Sequence, residues 1–419
     1  MNILITCCSK KVLLVKAFKT YLNNLQGLLI ATDCDLNAPA LYFADDFFLS
    51  PKMHESNFLD FMIMNCRKYN IKLLIPTSCN ELEFYARNKC KFNKIGCDVM
   101  ICSIETVDIC QNKQKFINFC VNNEIPVPKT YNLCSAINTF PLFIKPIFGY
   151  GSKNTMRINS KNEMESLNIN LSNYIIQDFI GDKEYTIDYV GDLQGNYIKC
   201  VPRERINIVN GESCVSKTFI SDDIIKESII LGSTLKLVGH NTIQCFYNGN
   251  DVKFIEVNPR FGGASNLGIH SGLNSPKILI DLLYKLKLDD IDIKDDLLML
   301  RYSTDIFGYV ENGNFNQMSS FEKNKIYCVD IDGTICTENC EYENAKPILK
   351  IIKKINKLFD NGNKIILFTS RGYKSKIDYR KFTETQLSNW KVNYHELHFN
   401  KPFADYYIDN KAINVLDWV

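Results

Sequence analysis

The 419-residue sequence has no long apolar run, no excess of either charge and no patterned cysteines, and each absence removes a class of function. A bilayer-spanning helix needs about 20 consecutive apolar residues, so neither a membrane span nor a membrane partner is expected. Forty-nine basic against 47 acidic residues leave a formal charge of +2. That field is too balanced to gather nucleic acid or an anionic surface. The 17 cysteines are scattered, with no CxxC pair and no histidine at zinc-finger spacing. An odd, dispersed set suits reduced thiols used as small core residues, and hence a cytoplasmic location. Glycine and proline are few, and no repeat or low-complexity tract interrupts the chain. Met1-Asn2-Ile3-Leu4-Ile5 reads as a first strand without a basic or small-residue flank, so no secretory signal is expected.

What is present is a soluble-type composition, 46% apolar, in a chain long enough for two to four domains. From Asn2 to about residue 105 short apolar strands alternate with helically spaced segments, which predicts a parallel α/β sheet. Residues 106–120 read as one helix. From there to about 310 the pattern turns to many strands with glycine-containing turns, an α+β arrangement. A polar stretch, 311–325, reads as a linker, and a small second α/β unit fills 326–419.

Three segments of the middle region bear on function. FIKPIFGYGSKNT (143–155) places Lys145 at a strand end before a loop with Gly149, Gly151 and Ser152. Glycines let backbone amides approach phosphate oxygens, and the lysine adds a point charge; an ordinary hairpin would look the same. IIQDFIGDKEYTIDYV (175–190) sets Gln177 and Glu184 either side of a turn, where a purine and its ribose could lie or where polar side chains simply meet solvent. In IQCFYNGNDVKFIEVNPRFGGAS (243–265), Gln244, Glu256 and Asn258 are oxygen donors, and Glu256 and Asn258 share a strand face. One carboxylate with two amide oxygens suits Mg²⁺ that is also held by substrate phosphates. Arg260 follows, suited to a charged intermediate. Arg203, Arg205 and Lys217 could meet a phosphate or a substrate carboxylate. Glu81 fits either an acceptor site or a helix N-terminus.

The FIEVNPRFGG block, with the lysine and glycine loop upstream, resembles the ATP-grasp superfamily, and most of all its carbamoyl-phosphate-synthase-like carboxylate–amine ligases. The resemblance spans roughly residues 1–309. It implies a Rossmann-like pre-ATP-grasp unit (1–105), then an ATP-grasp domain (106–310) with a lid at about 130–180. It also implies ATP and Mg²⁺ as cofactors, with Mn²⁺ able to replace the metal. Metal ligands would be Gln244, Glu256 and Asn258. Lys113 and Lys145 would bind phosphate, Glu184 the ribose, and Arg260 the acyl phosphate. Where such proteins often carry a glycine-rich first turn, this chain has Cys7-Cys8-Ser9-Lys10-Lys11.

The tail opens with YCVDIDGT (327–334). Asp330 is placed to attack phosphorus as a carboxylate nucleophile, Asp332 to serve as acid and then base, and Gly333 to permit a sharp exit. An acidic β-turn would have the same composition. Downstream come Thr369, a phosphate-oxygen donor; Lys401, a charge neutraliser; and Asp405 and Asp409, further Mg²⁺ ligands with Asp330 and Asp332. Arg371 could contact substrate or cap a helix. These stations in order resemble the haloacid-dehalogenase (HAD) phosphatases over 326–419, with Asp409-Asn410 where an Asp-Asp pair is common. The intervals leave room for about one helix each, so the resemblance implies a capless domain.

The expectation is therefore a bifunctional enzyme. A ligase joins a carboxylate to an amine, and a phosphatase removes phosphate from a substrate or from the product. One version couples a phosphorylated amino alcohol to a sugar acid or amino acid, for a surface polysaccharide or a small metabolite. Partners would be the small carboxylate, amine and phosphate ester, with a homodimer allowed. The alternatives are a nucleotide-binding regulator, or two enzymes with unrelated substrates.

Overall fold

The computed structural model describes the chain apart from residues 132–136, 138, 150–152, 312–313, 318–323, 339–340, 405–406, 408–410 and 414–419. It divides into two compact units. One comprises 1–21 with 27–305, the other 306–419 with 22–26. Among the described residues no helix is long and apolar enough to cross a membrane, and the described cysteines are free thiols.

In the first unit five parallel strands run β1 (Asn2–Thr6), β2 (Leu29–Asp33), β3 (Asp46–Leu49), β4 (Ile71–Pro76) and β5 (Asp98–Val99), in the spatial order 3-2-1-4-5. Ile3, Leu4 and Ile5 are fully buried, as are Leu73, Leu74 and Ile75 on the neighbouring strand. This is the near-continuous apolar reading of a sheet covered on both faces.

The single helix expected over 106–120 is two helices, Ile104–Gln111 and Lys113–Asn122. Asn112 separates them with an extended backbone, and its side-chain oxygen accepts from the amides of Gln114 and Lys115. An asparagine cap satisfies amides that a continuous helix would have satisfied internally. The break makes Lys113 the first residue of the second helix.

Four short antiparallel strands follow: β6 (Thr130–Tyr131), β7 (Leu142–Pro146), β8 (Met156–Ile158) and β9 (Tyr174–Asp178). They have their own small core of Leu142, Ile144, Ile158 and Ile176. The larger sheet consists of β10 (Lys183–Gly191), β11 (Tyr197–Val209), β12 (Glu212–Thr218), β13 (Gly239–Tyr247), β14 (Val252–Asn258) and β15 (Leu298–Leu300), ordered 14-13-10-11-12-15. Strand β11 runs thirteen residues. It turns into β12 through Asn210 and Gly211, both at positive φ. That Asn-Gly pair is the hairpin signal of a turn whose twist matches the strands.

In the second unit, β16 (Gly308–Glu311) pairs with β17 (Asn314–Gln317), so the first part of the segment expected as linker, 311–325, is a paired strand. Beyond them β18 (Ile326–Val329), β19 (Lys364–Phe368) and β20 (Glu396–His398) form a parallel sheet in that order. Helices Leu349–Asp360 and Arg380–Asn389 fill the two connections. Ile351, Ile352, Ile355 and Leu358, at helical spacing on one face, pack with Ile331, Ile335, Ile365 and Leu367. Of the strand expected at Tyr406–Asp409, only Tyr407 is among the described residues.

Candidate active sites

Side chains two apart on a strand share a face, and antiparallel neighbours in register stand side by side. On β10 that face carries Glu184, Thr186 and Asp188. Thr186 faces Gln244 on β13, and Gln244 faces Glu256 on β14; Thr242 faces Asn258. The register therefore brings the three oxygen donors together on one surface. Asn258 Nδ2 donates to Glu256 Oε1 at 2.9 Å.

A cleft of about 140 Å³ opens above this face, and Lys113, Lys145, Gly149, Glu184, Arg205, Gln244 and Glu256 all line it. A groove of about 470 Å³ shares Pro146, Phe148, Gly149 and Lys153 with it. Lys113 Nζ donates to the Gly149 carbonyl at 2.6 Å, tying the new helix start to the glycine loop. Gly151 and Ser152 lie outside the described residues. Lys145 is only 5% exposed. Burial, with like charge from Lys113, pushes its ammonium down to about 8, while Glu256 and Glu184 pull the other way. Burial likewise raises the Glu184 carboxyl, against the opposing pull of its ion pair with Arg205. Arg205 is held in turn by the Gly211 carbonyl at 2.7 Å and Ser213 Oγ at 3.1 Å.

Residues 3–100 match the family model for the PylC-like, N-terminal domain, and residues 110–264 match that for the ATP-grasp domain. The chain carries an ATP-grasp domain. Its sequence is 26% identical over 199 residues to the large chain of carbamoyl phosphate synthase from Thermoplasma volcanium, covering 42% of this chain and 19% of that one. The chain spans 19% and 30% of the lengths of the two such large chains it matches. Biotin carboxylase from Campylobacter jejuni has a similar fold, with TM-score 0.58 and 14% identity over 86% of this chain and 91% of that one. An L-amino acid ligase from Bacillus licheniformis aligns with TM-score 0.53 and 18% identity over 67% of this chain and 74% of that one. Neither family model reaches residues 326–419.

Several expected residues of the ATP-grasp domain stand elsewhere. Gln177 is buried, and its amide donates to Thr130 Oγ1 at 2.9 Å and the Pro128 carbonyl at 3.3 Å. It secures β6 to β9 rather than facing the cleft. Arg203 is also buried and pairs with Asp188, Nε to Oδ2 at 2.9 Å. His240 lies 3.4 Å from the same carboxylate, hydrogen-bonds Ser265 and Ser275 at 2.9 Å each, and stacks on Phe261 at 4.1 Å. Arg203 is thus spent on an internal charge, since a buried guanidinium needs its carboxylate. Lys217 sits on the surface with Asp296 at 2.6 Å, away from the cleft lining. Glu81 takes the second of its two readings. Its carboxylate accepts from the amides of Thr77 (2.7 Å) and Ser78 (2.9 Å) at the start of helix Cys79–Asn93, and from Thr6 Oγ1 at 2.7 Å. It is 2% exposed, so it is a buried cap rather than a solvent-facing one.

Arg260 has a neighbour that sequence reasoning missed. Its Nε donates to Cys79 Sγ at 3.1 Å, and the Cys79 thiol donates to Asn258 Oδ1 at 3.4 Å. The Cys79 carbonyl accepts from the Gln111 amide at 2.6 Å. Cys79 looked like one more dispersed core thiol, and nothing local in the sequence marks its reach to residues 258 and 260.

In the second unit, Asp330, Thr369 and Lys401 each follow the C-terminal end of a different parallel strand, where such sheets place their ligands. Lys401 Nζ donates to Asp330 Oδ2. Thr369 is buried, and its hydroxyl accepts from the Arg371 amide at 3.1 Å. Asp332 accepts from Arg371 Nε at 2.8 Å and Nη2 at 2.6 Å. Arg371 is 2% exposed and also reaches Gln386 Oε1 at 2.8 Å and Thr383 Oγ1 at 3.3 Å. Two of its nitrogens are on Asp332, so it holds that carboxylate. Asp405 and Asp409 lie outside the described residues.

Among the described residues no three His, Cys, Asp or Glu side chains gather as a metal site would require. Gln244 and Glu256 line the cleft, whereas Asn258 stands beside them with its amide nitrogen on Glu256 and its oxygen on the Cys79 thiol. One carboxylate with amide oxygens fits Mg²⁺ completed by substrate phosphates, Asn258 joining once its amide turns its oxygen toward Glu256.

Proposed function

We propose that the chain joins two enzymes. Residues 1–310 form an ATP-dependent ligase that activates a carboxylate as an acyl phosphate for attack by an amine. Residues 326–419 form a HAD-type phosphatase working through an aspartyl phosphate. The boundaries follow that division: a pre-ATP-grasp unit to 105, the grasp domain from 106 with a lid at about 130–180, and a linker at 311–325. The observation that carries the reading is the one cleft in which Lys113, Lys145, Gly149, Glu184, Gln244 and Glu256 converge.

A carboxylate oxygen is a poor leaving group, so amide formation needs prior phosphorylation. In the cleft Lys113 and Lys145 receive the phosphates, and Glu184, steadied by Arg205, accepts from the ribose hydroxyls. Gln244, Glu256 and Asn258 would hold Mg²⁺, which when bound neutralises charge on the transferring phosphoryl group. Arg260 steadies the acyl phosphate. The small sheet of β6–β9, with its separate core, closes over the nucleotide and excludes water that would hydrolyse the intermediate. A fold neighbour named an L-amino acid ligase supports the carboxylate–amine class.

In the tail, an Asp330 carboxylate oxygen attacks phosphorus. Lys401 balances the charge, Thr369 holds a phosphate oxygen, and Asp332, oriented by Arg371, serves the leaving oxygen and then the attacking water. An amine entering as a phosphorylated amino alcohol, coupled to a sugar acid or amino acid, would link the two reactions.

The test is ADP release with candidate acid–amine pairs, followed by mass measurement of the product with Asp330 intact and as Asp330→Asn. A phosphorylated adduct that accumulates only in the variant supports both halves. Nucleotide turnover that survives Glu256→Ala would sink the ligase.

A further inference from the structure

The mouth of the tail site is built from two loops. Residues 369–377 leave the C-terminal end of β19, and 399–404, with Tyr407, follow that of the adjacent β20. The first is drawn tight: the Lys376 amide donates to the Gly372 carbonyl at 2.8 Å and the Tyr373 amide to the Ser370 carbonyl at 2.9 Å. Gly372 has φ 79°, and a Cβ there would lie 2.2 Å from the Ile377 carbonyl oxygen. These contacts fix the course of the loop backbone.

Three aromatic side chains are exposed on the two loops. Tyr373, Phe403 and Tyr407 are 43%, 49% and 50% exposed. Each has a lysine against its ring: Lys376 at 5.0 Å from Tyr373, Lys374 at 3.3 Å from Phe403, and Lys401 at 4.2 Å from Tyr407. The Lys374–Phe403 contact joins the two loops into one rim. Lys401 is the same residue that binds Asp330, so the rim is continuous with the reacting centre. Scattered exposed aromatics need no explanation, but three on two joined loops, each with a cation and one of them against the lysine that binds Asp330, match a substrate with a flat face and negative charge.

We propose that this site takes a ring-bearing phosphomonoester and discriminates against short acyclic ones, so that ligation precedes dephosphorylation. The inference rests on reading residues 326–419 as a phosphatase. A free phosphorylated amino alcohol has no face to set against Tyr373 or Phe403; the same phosphate carried on a ligated ring does. The chemistry is hydrolysis. The phosphorus–alkoxide bond breaks as Asp330 takes the phosphoryl group, the alkoxide takes a proton, and water then cleaves the aspartyl phosphate to inorganic phosphate.

The experiment compares kcat/KM of the full chain for phosphoethanolamine, glucose 6-phosphate and adenosine 5′-monophosphate. At least one ring-bearing ester should exceed phosphoethanolamine by roughly tenfold, the two rings telling a sugar face from a base. In Tyr373→Ala and Phe403→Ala, with unchanged melting midpoints, that ratio should fall toward one through KM. Equal efficiency in the wild type, or a preference that survives both substitutions, overturns the proposal. Hydrolysis of none of the three removes the phosphatase reading itself, and this inference with it.

Discussion

Arg260 and Cys79 lie 181 positions apart, yet the arginine Nε donates to the cysteine sulfur at 3.1 Å. The thiol then donates to Asn258, and Asn258 to Glu256, so one hydrogen-bonded chain runs from the expected acyl-phosphate arginine to the expected metal carboxylate. Cys79 opens a helix of the PylC-like region, and that helix start is fixed by Glu81 against Thr77 and Ser78.

The first prediction follows from that chain. Cys79→Ala removes both contacts and leaves Arg260 with the Phe261 carbonyl alone among the partners described here. A net hydrogen bond contributes about 1 kcal/mol, so kcat/KM for the carboxylate should fall roughly three- to tenfold. Cys79→Ser, which keeps a donor and an acceptor, should recover most of the loss. The KM for ATP should not move in either. Steady-state ADP release at varied acid concentration reads the difference, and a serine variant no better than alanine would argue against a positioning role.

The second concerns protons. Free Lys145 titrates near 8 because it is buried, so well below that pH it is charged with or without nucleotide. Above it the free protein has lost the proton, while a triphosphate beside the amine favours the charged form. Binding of ATP near pH ~9 should therefore take up close to one proton, and binding near pH ~6.5 almost none. Calorimetry in two buffers of different ionisation enthalpy measures this directly, and Lys145→Met should abolish the uptake. Affinity for ATP should weaken as pH rises through 8. A constant proton count across that range would mean that Lys145 does not meet phosphate.

Much of this architecture was legible. The alternation at the start announced a parallel sheet, and Glu256 and Asn258 were visibly on one strand face. The cross-strand partner of Gln244 was not, because register is set by pairing across long sequence separations. Gln177 shows the same limit. Its amide is used by Thr130 and Pro128, which pairing of β6 with β9 brings beside it, and no local pattern carries that information. Asn112 was different: an asparagine between two helical stretches is a capping signal, and apolar periodicity alone hid it. The Asn210-Gly211 turn was likewise written in the sequence.

The third prediction separates stability from activity. Asp188 and Arg203 are both buried, with burial raising the Asp188 carboxyl and Arg203 and His240 together holding it below its ordinary value. Arg203→Met leaves that carboxylate without its main counter-charge, which typically costs about 3–5 kcal/mol. The urea midpoint should fall accordingly, and Asp188→Asn added to it should recover part of the loss. Had Arg203 been a substrate ligand, the midpoint would hold and only the KM for a substrate would change.

The last prediction concerns Arg371, which sequence alone could not place. Its guanidinium meets Asp332 with two nitrogens and fixes the far side of the fork on Gln386 and Thr383, with the Tyr342 ring 4.7 Å away. A lysine in its place keeps the charge but cannot make two parallel contacts or reach the helix at the same time. Arg371→Lys should therefore leave the unit folded while Asp332 loses its fixed orientation. Proton transfer to the leaving oxygen is worth roughly 10²–10⁴-fold in such reactions, so phosphate release should drop about a hundredfold. The loss should shrink for esters with good leaving groups, which need no proton, and p-nitrophenyl phosphate should be the least affected substrate. ADP release by the ligase should stay at its original rate in the same preparation. A uniform loss across all esters would assign Arg371 to phosphate binding or folding instead of to the orientation of Asp332.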